Sequence, residues 1–445
     1  MIVMKCGGTS VKDAERIRAV IEIVRNNLDK KPVMVFSAMG KVTDLLIESG
    51  EKALNEAAVD ISEIRRVHSE AAAELSIDSE EIDTLLLNLE NLLKGIALIG
   101  ELSPRTRDLL VSFGERLSVR VITAGLNKAD IPAVFYDAWD AGFVTNSDFQ
   151  NASLLPQAFE RIRAVLAPVV DEYAFTPVIT GFIGKDENGH VTTLGRGGSD
   201  LTASVLGNAL DAAEVQVWKD VDGLLTTDPK VVSEARIVEE ISFEEASELA
   251  YFGAKILHPQ SILPAMEKNI PVRVKNSYSP DSPGTVIRKD APSLLPVKVI
   301  TFQRHVTLID IVSTRMLGLH GFLARVFQVF ARHAVSVDMI ASSEISISLT
   351  LNRNGRSAET LDKLGRELQE FAHVSVRPEK GIVTVVGDVT HSSLVLAEIM
   401  SILVKLGIRV QMISQGASKV NISFIVDSDE VETVVRTLHR HFFNK

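Results

Sequence analysis

The sequence TLGRGGSD at residues 193–200 places three glycines, an arginine, two hydroxyl side chains and a carboxylate within one short stretch. It follows an Asn188-Gly189 pair, a strong hairpin signal, and precedes residues 199–210, whose apolar spacing suits a short helix. Glycines let backbone N–H groups approach a ligand closely, and the positive end of the following helix points at the same place. The stretch therefore predicts an anion site between a strand and a helix.

A plainer interpretation of this stretch is that Ser199 or Asp200 is only the N-cap of the helix. The stretch is not the dinucleotide-binding fingerprint, because Asp200 stands where that motif needs its third glycine, and it is not a P-loop. A second glycine-rich turn, KCGGTS at residues 5–10, follows the apolar run at residues 2–4 and precedes a helical pattern. Two loops of the phosphate-binding type in one chain favour the ligand site.

Length and composition indicate a globular protein of several domains. The chain has 445 residues, of which 46% are hydrophobic, and this is enough for two to four domains with buried cores. The net charge of −11 argues against general binding of nucleic acid or of anionic membranes. The single cysteine, Cys6, excludes an intrachain disulfide and a cysteine-based zinc site, and we expect it to be a buried packing thiol. With no signal-peptide pattern and no apolar run long enough to span a bilayer, we expect a cytoplasmic protein.

Short apolar strands alternate with helical patterns through the first two thirds of the chain. Ser10 is the predicted N-cap of the first helix, whose apolar face recurs at helical spacing from Ala14 to Val24. Residues 45–98 form a helical, charged flank, and residues 107–124 form a helix that carries Glu115. Predicted strands cover residues 33–36, 133–136, 177–182, 190–194, 215–218 and 272–274. This order predicts an α/β fold with a largely parallel sheet and ligand sites at the carboxyl ends of its strands.

Beyond a turn-rich segment at residues 279–292, the chain contains an internal repeat. We place the domain boundary near residue 295. Each repeat has a βαββα order of about 70 residues. The first comprises strand 306–312, helix 322–333, strand 335–340, strand 345–351 and helix 359–371. The second comprises strand 382–387, helix 392–406, strand 408–413, strand 420–426 and helix 430–439.

Segments spread along the whole chain closely resemble aspartate kinases of the amino-acid kinase superfamily, in the same order. They are KCGGTS at residues 5–10, VFSAMG at 35–40, SFGE at 112–115, the glycine-rich stretch at 193–200 and KDVDGLLTTDP at 219–229. The resemblance implies an amino-acid kinase catalytic domain at residues 1–294. Two ferredoxin-like βαββαβ ACT modules follow at residues 295–378 and 379–445. The strand at residues 297–302 is assigned either to the first module or to the second.

The resemblance also implies the phosphate chemistry. Lys5 would stabilise the charge on the transferring γ-phosphoryl group, and the backbone N–H groups of Gly7, Gly8 and Thr9 would cradle the phosphate oxygens. ATP would further contact Lys219, Asp220, Leu225, Lys230 and Lys255. Magnesium would arrive with ATP and be held by phosphates and water, so no protein ligand for a metal is named.

A carboxylate acceptor has a pKa near 4, so at neutral pH it is already a nucleophile and needs no general base. We therefore expect no catalytic histidine, and His258 is interpreted as structural. By resemblance, Arg196 would bind the α-carboxylate of the substrate and Glu115 its α-ammonium group. Hydroxyl contacts would come from Thr43 and Ser199, while Asp200 would orient Lys5 and the substrate.

These expectations describe phosphorylation of L-aspartate by ATP to 4-phospho-L-aspartate, the first step towards lysine, threonine and methionine. Two alternatives stay open. One is a sister kinase that acts on glutamate, acetylglutamate or a nucleotide. The other is a non-catalytic amino-acid sensor built on the ACT modules. For the aspartate kinase we expect a homodimer through the ACT modules, with a tetramer as the alternative, and no nucleic-acid or membrane partner.

The first ACT module resembles that of single-function, lysine-sensitive aspartate kinases, which implies L-lysine as an inhibitor. Asp338 and Glu344 would pair with the two ammonium groups of lysine, while N–H groups at the start of the helix at Phe322 would bind its carboxylate. The full predicted site comprises Met316, Leu319, Phe322, Leu323, Val337, Asp338, Ser343 and Glu344. One alternative is that both carboxylates are ordinary solvated turn residues and that Met316 and Phe322 are core residues. Another is that threonine is the effector.

Overall fold

The computed structural model describes residues 1–251, 257–291, 296–313, 320–351, 358–387, 392–416 and 420–444. The chain divides into two compact units. The first comprises Met1–Leu224, Glu239–Ala246 and Lys255–Ala291, and the second comprises Leu225–Val238, Ser247–Ala254 and Pro292–Lys445. The predicted boundary near residue 295 lies outside the described residues, so the predicted domain limits stay predictions.

The first unit is built on an eight-stranded sheet. Its strands, in chain order with those of a small second sheet, are β1 Ile2–Cys6, β2 Pro32–Phe36, β3 Ala133–Tyr136, β4 Val144–Thr145, β5 Thr176–Thr180, β6 Ile183–Asp186, β7 Val191–Thr193, β8 Val215–Lys219, β9 Glu240–Ser242, β10 Val272–Asn276 and β11 Thr285–Arg288. The large sheet has the order β3-β5-β2-β1-β8-β10-β11-β9, and every pair from β3 to β10 is parallel. The predicted largely parallel sheet is confirmed. Strands β1, β2 and β5 are buried along their whole length, as expected for parallel strands covered on both faces.

Helices cover this sheet. They are α1 Ala14–Arg25, α2 Val42–Glu56, α3 Ser62–Leu75, α4 Glu80–Ile99, α5 Pro104–Lys128, α6 Gln157–Glu172, α7 Gly198–Leu210, α8 Phe243–Tyr251 and α9 Pro259–Glu267. Helix α8 has residues in both units. The predicted helical flank at residues 45–98 is three helices, α2 to α4, and it packs with α5 through a core that includes Leu46, Ile64 and Leu86.

The predicted N-cap of the first helix is wrong. Residues Gly8–Val11 form one turn of 3-10 helix, so Ser10 lies inside that turn. The N-cap of α1 is Asp13, whose carboxylate accepts a hydrogen bond from the Arg16 N–H at 2.8 Å. The sequence presents both a serine and an aspartate at suitable positions, and the tight turn selects the later one.

The second unit contains the two repeats in one six-stranded antiparallel sheet. Its elements are β12 Val299–Val312, α10 Phe322–Arg332, β13 Met339–Ser342, β14 Ser346–Leu351, α11 Ala358–Gln369, β15 His373–Val386, α12 Ser392–Leu406, β16 Met412–Gln415, β17 Asn421–Asp427 and α13 Val431–Phe443. The strand order is β13-β14-β12-β15-β17-β16. Strand β12 pairs with β15 over its whole length, residues 299–303 with 382–386 and residues 306–312 with 373–380. The two long central strands are therefore shared by the two repeats.

Two predicted strands of the repeats begin later than expected, for the same reason in each repeat. The strand predicted at 335–340 is β13, and the strand predicted at 408–413 is β16. After α10, Ala334 has a φ of +52° and the Val335 N–H donates to Phe330 O at 2.8 Å. After α12, Gly407 has a φ of +70° and the Ile408 N–H donates to Leu403 O at 3.0 Å. Both apolar residues therefore close a helix end instead of starting a strand.

The segment Leu225–Val238 belongs to the second unit because its apolar residues join the core of the second repeat. Val231 and Val232 pack in one cluster with Ile300 and with side chains of α12 and α13. Thr226 is held on both sides, because its carbonyl accepts from the Ile300 N–H at 2.8 Å and its hydroxyl bonds His439 Nε2 at 2.9 Å. In the described part of the chain, no helix has the length and apolar character needed to cross a membrane.

Phe424 tests the core of the second unit, because its side chain is completely buried in that core. We expect Phe424→Ala to destabilise the unit by about 3–5 kcal/mol, since the truncation leaves a cavity. The control is Leu394→Ala on α12, where the leucine is 58% exposed and the expected cost is within about 0.5 kcal/mol. Pulse proteolysis of both full-length variants in a urea series gives the two midpoints. Equal midpoints for the two variants would contradict this packing.

Candidate active site

Two lysines and one aspartate meet at the carboxyl edge of the large sheet. Lys5 is the next-to-last residue of β1 and Lys219 is the last residue of β8, and these strands are neighbours in the sheet. Asp200 lies in the first turn of α7 and accepts both lysines, with Lys5 Nζ at 2.6 Å from Oδ1 and Lys219 Nζ at 3.2 Å from Oδ2. The side chains of Lys5 and Asp200 are more than nine-tenths buried. One carboxylate and two ammonium groups leave a net positive charge in this cluster.

The charges in the cluster depend on one another. Burial alone raises the pKa of Asp200, but the charges of Lys5 and Lys219 outweigh it and hold that pKa below its ordinary value. Burial lowers the pKa of Lys219, and the Asp200 charge opposes this only in part. The cluster is therefore a fixed ionic group in which Asp200 stays ionised. Such a group can neutralise the developing charge of a phosphoryl transfer.

The loop that follows Lys5 is fixed between two other strand ends. The Gly7 N–H donates to Trp218 O at 3.1 Å, and Gly8 O accepts from the Gly40 N–H at 3.0 Å. A side chain at Gly8 would have its Cβ 2.6 Å from Ala38 O, so only glycine fits. The first bond of the 3-10 turn is Ser10 N–H to Gly7 O, so the turn itself does not use the N–H groups of Gly8 and Thr9. Of the three predicted phosphate donors, Gly7 therefore has its N–H engaged within the protein.

The stretch at residues 193–200 leads into α7, and neither Ser199 nor Asp200, the two cap candidates of the plainer interpretation, caps the helix. The N-cap is Gly197, which has a φ of +72° and makes no side-chain cap bond. This conformation turns the chain so that Ser199 and Asp200 enter the first helical turn with their side chains buried. Ser199 packs against Gly181, where an added Cβ would lie 2.6 Å from Ser199 Cβ. Arg196, in the same stretch, is exposed and makes no ion pair within the ranges described above.

Glu115 is a completely enclosed carboxyl group on α5. Its Oε1 accepts a hydrogen bond from the Ala38 N–H at 3.2 Å, and its Oε2 has no hydrogen-bond partner among the described residues. Burial raises the pKa of Glu115 to about 8, and the Ala38 N–H and the Lys5 charge oppose this only in part. Thr43 on α2 lies beside this turn of α5, because its Oγ1 is 3.8 Å from the position of a Cβ added to Gly114. Glu115 thus presents a desolvated acceptor that a cation would satisfy.

The remaining predicted nucleotide contacts do not all lie in the first unit. Asp220 is exposed directly after Lys219. Leu225 and Lys230 belong to the second unit, and the Lys230 N–H donates to Asp228 Oδ1 at 2.8 Å. Lys255 lies outside the described residues. His258 is the residue before α9; its carbonyl accepts the Ser261 N–H, and its Cβ lies 2.8 Å from where a Gly197 side chain would begin. Both contacts of His258 are therefore a backbone hydrogen bond and a packing contact within the first unit.

The predicted effector residues divide into three groups. Phe322 and Val337 are partly buried against the core of the first repeat, and the Phe322 ring lies 5.8 Å from the Phe371 ring in an edge-to-face contact. Leu323, Ser343 and Glu344 are exposed, and Asp338 precedes β13 with its N–H bonded to Thr350 O. Met316 and Leu319 lie outside the described residues. The alternative interpretation of Phe322 as a packing residue therefore fits its contacts.

The chain is similar to known proteins over nearly its whole length. The amino acid kinase family model matches residues 1–276, and an ACT domain model matches residues 309–356 and 383–442. Aspartokinase 1 of Arabidopsis thaliana is 48% identical over 99% of this chain and 80% of its own length. The lysine-sensitive aspartokinase 3 of Escherichia coli is 37% identical over 100% of this chain and 99% of its own length. The chain belongs to the aspartokinase family.

Solved structures agree with this assignment. The structure of aspartokinase III of Escherichia coli in complex with aspartate and ADP aligns with 100% of this chain over 100% of its own length. The TM-score is 0.80 and the sequence identity is 34%. The same enzyme in complex with lysine and aspartate covers 100% of this chain and 99% of its own, with a TM-score of 0.82 and 34% identity. The amino-acid kinase fold with C-terminal ACT domains is therefore confirmed. These relatives favour an enzyme over the alternative of a non-catalytic amino-acid sensor built on the ACT modules.

Gly8 provides a direct test of the loop. We expect Gly8→Ala to reduce kinase activity by about a hundred-fold, because a displacement of the loop by about 1 Å misplaces the phosphate donors. The matched control is Gly95→Ala on α4, where an added Cβ meets no atom within 4 Å. That variant should keep full activity and gain slightly in stability. The kinase activity of both folded variants is measured by steady-state kinetics. A fully active Gly8→Ala enzyme would contradict the proposed role of this loop in positioning the phosphate donors.

Proposed function

We propose that this chain transfers the γ-phosphoryl group of ATP to the side-chain carboxylate of L-aspartate, forming 4-phospho-L-aspartate. This reaction is the first step in the biosynthesis of lysine, threonine and methionine. The observation that carries the proposal is the buried Lys5–Asp200–Lys219 cluster beside a glycine-rich loop. The proposed location is the cytoplasm, which the single buried thiol of Cys6 fits.

Phosphoryl transfer between two oxygen atoms requires positioning and positive charge more than covalent help from the protein. In the proposed mechanism the aspartate carboxylate attacks the γ-phosphorus directly, so no side chain needs to remove a proton. Lys5 neutralises the negative charge that develops on the transferring group. The N–H groups of Gly8 and Thr9 bind phosphate oxygens, and Lys219 and Asp220 lie next to the nucleotide. The roles of Gly7, Leu225, Lys230 and Lys255 in ATP binding stay predictions. Mg²⁺, bound through the phosphates, would add further neutralising charge.

The acceptor site has a chemical character that fits an α-amino acid. The buried, unsatisfied Oε2 of Glu115 suits the α-ammonium group, because a cation there removes the cost of an unpaired buried acceptor. The exposed guanidinium of Arg196 suits the α-carboxylate, which its planar fork can bind through two hydrogen bonds. Thr43 and Ser199 supply hydroxyl groups. The relative solved with aspartate and ADP supports the same pair of ligands.

A coupled assay of ADP release tests the proposal, with L-aspartate and L-glutamate compared as acceptors. Two anchored α-groups fix where the side-chain carboxylate ends, so the additional methylene of glutamate misplaces the nucleophile. We expect aspartate to be consumed and glutamate to react at least about a hundred-fold more slowly. Comparable turnover of glutamate would support the sister-kinase alternative instead.

Substitutions in the two halves of the site should separate chemistry from binding. Lys5→Met should lower kcat by at least about a thousand-fold with little change in the KM for aspartate, since the charge is needed most in the transition state. Arg196→Ala should instead raise that KM by about ten-fold or more and leave kcat within a few-fold. Full kinetics with both substrates varied measure these effects. An unchanged kcat in Lys5→Met would remove its assigned role.

The elevated pKa of Glu115 predicts how activity depends on pH. With a pKa of about 8 in the empty site, this carboxyl group is mostly neutral at pH 7 and becomes anionic only as the pH rises. The anion is the form that attracts an ammonium group, so kcat/KM for aspartate should rise by about ten-fold per pH unit below the pKa and level off above it. The Glu115→Gln enzyme, which cannot ionise there, should show a low and flat profile. A wild-type kcat/KM that is constant or falls from pH 6.5 to about pH 9 contradicts this proposal.

We also propose feedback inhibition by L-lysine at the first ACT module of a homodimer. The proposed ligand contacts are the carboxylates of Asp338 and Glu344 and the first turn of α10, which follows Gly321. Exposed apolar side chains around this part of the module, Leu323, Phe327, Ile340 and Ile345, support its association with a second copy. The Escherichia coli relative is named lysine-sensitive and has been solved with lysine and aspartate.

The effector proposal is tested by Glu344→Ala. Lysine inhibits by binding an inactive arrangement more tightly than the active one, so removing one of its partners should raise the inhibitory concentration by about ten-fold or more. The uninhibited kcat should stay nearly unchanged. Glu370→Ala, at another exposed glutamate of the same module, is the control and should be inhibited normally. Titrations with lysine and with threonine, accompanied by size-exclusion chromatography, give the answer; inhibition by threonine alone, or a lysine-sensitive monomer, would refute the proposal.

A further inference from the structure

A compact hydrogen-bond network links the glycine-rich loop at residues 7–10, which we call the phosphate loop, to the ends of β8 and β10. Its centre is Ser277, the residue directly after β10, which is 1% exposed. The Ser277 N–H donates to Lys219 O at 2.8 Å. The Ser277 hydroxyl lies 2.8 Å from Ser10 Oγ and 3.0 Å from Lys219 O, so its proton can serve either acceptor. One buried serine thus contacts both the phosphate loop and the backbone of a lysine in the ionic cluster.

The network continues through Ser10, which is completely buried. Its hydroxyl donates to Trp218 O at 3.4 Å, and the same carbonyl accepts the Gly7 N–H at 3.1 Å. If Ser10 uses its own proton for Trp218, it has a free lone pair for the proton of Ser277, so the donors and acceptors match along the chain. This series of hydrogen bonds holds the phosphate loop at a fixed distance from β8.

Arg16 and Tyr278 complete the network from the outer side. Arg16 Nη2 donates to Ser277 O at 2.5 Å, and its guanidinium lies 3.6 Å from the centre of the Tyr278 ring. The Tyr278 hydroxyl donates to Thr9 O at 3.1 Å. Together with the bond from Gly40 to Gly8 O, these contacts engage the carbonyl groups of the loop. With their carbonyls tied back, Gly8 and Thr9 can direct their N–H groups towards an anion.

We propose that Ser277 is a positioning residue for phosphoryl transfer, which sets the phosphate loop and Lys219 at the spacing that the triphosphate requires. This inference rests on the proposed function. Ser277 itself does not touch the substrates; it acts through the Ser10 hydroxyl and the Lys219 carbonyl. Preorganised donors contribute to catalysis because they need not be reoriented during the reaction, and a loosened loop loses this advantage.

Ser277→Ala removes the hydroxyl contacts with Ser10 and with the Lys219 carbonyl, but it keeps the N–H bond to Lys219. We expect about a ten-fold loss in kcat/KM for MgATP, while the KM for aspartate stays within about two-fold of the wild-type value. Ser277→Thr keeps the hydroxyl and should recover most of the loss. The matched control is Ser279→Ala, two residues further along in an exposed turn, which should behave as wild type. The full chain is used throughout.

Tyr278→Phe is the second variant, because it removes only the bond to Thr9 at an exposed ring. It should show the same selective effect on MgATP, and it keeps the test open if Ser277→Ala does not fold. Wild-type kinetics in both variants, equal increases in both KM values, or no recovery in Ser277→Thr would overturn the inference. A wild-type enzyme that consumes no ATP with aspartate would instead refute the proposed function.

Discussion

The carboxylate of Asp200, held between two lysines, is the constraint on which the first unit depends. A buried charge is costly unless it is paired, and here one carboxylate must satisfy Lys5 and Lys219 at once. This requires the ends of β1 and β8 to be adjacent and the first turn of α7 to lie at the same edge. The parallel order β2-β1-β8-β10 meets that requirement, because all these strands end on one side of the sheet. The net positive charge of the cluster then faces the place where phosphate would bind.

The second requirement is that backbone segments approach one another closely around the cluster. Glycine occupies the positions where a side chain would not fit. Gly8 lies against Ala38 O, and Gly181 lies against Ser199, so a methyl group at either place would push the loop or the helix away from the cluster. Glu115 lies next to the same loop, because its Oε1 accepts a hydrogen bond from the Ala38 N–H, and burial raises the pKa of its carboxyl group. The loop that is proposed to bind phosphate thus lies beside the desolvated acceptor on which amino-acid binding is proposed to depend.

Local sequence was sufficient for most of the elements, and the resemblance to aspartate kinases indicated the ionic residues, but neither revealed contacts between distant segments. Glycine-rich turns after apolar runs predicted the loops that contain Lys5 and Asp200, and periodicity predicted the parallel sheet and the repeats. The cap at Ser10 was predicted wrongly, and the alternative in which Ser199 or Asp200 caps α7 is also wrong, because the turn that precedes each helix decides which residue caps it. The hydrogen bond from Ala38 to Glu115 joins residues 77 positions apart, and the one from Ser277 to Ser10 joins residues 267 positions apart. Neither segment has a local pattern that predicts its distant partner. The two late strands in the repeats follow from helix ends that apolar patterns do not reveal.

The most direct test of the account is the rate of a single phosphoryl transfer in Asp200→Asn, measured by rapid quench with enzyme in excess over ATP. The account predicts a rate at least about a thousand-fold below wild type, with ATP bound as tightly as before or more tightly, because two unopposed lysines attract phosphate but no longer hold it in line. Nucleotide affinity is measured on the same protein. A wild-type transfer rate, or a loss explained entirely by weaker ATP binding, would contradict the claim that this carboxylate organises the site.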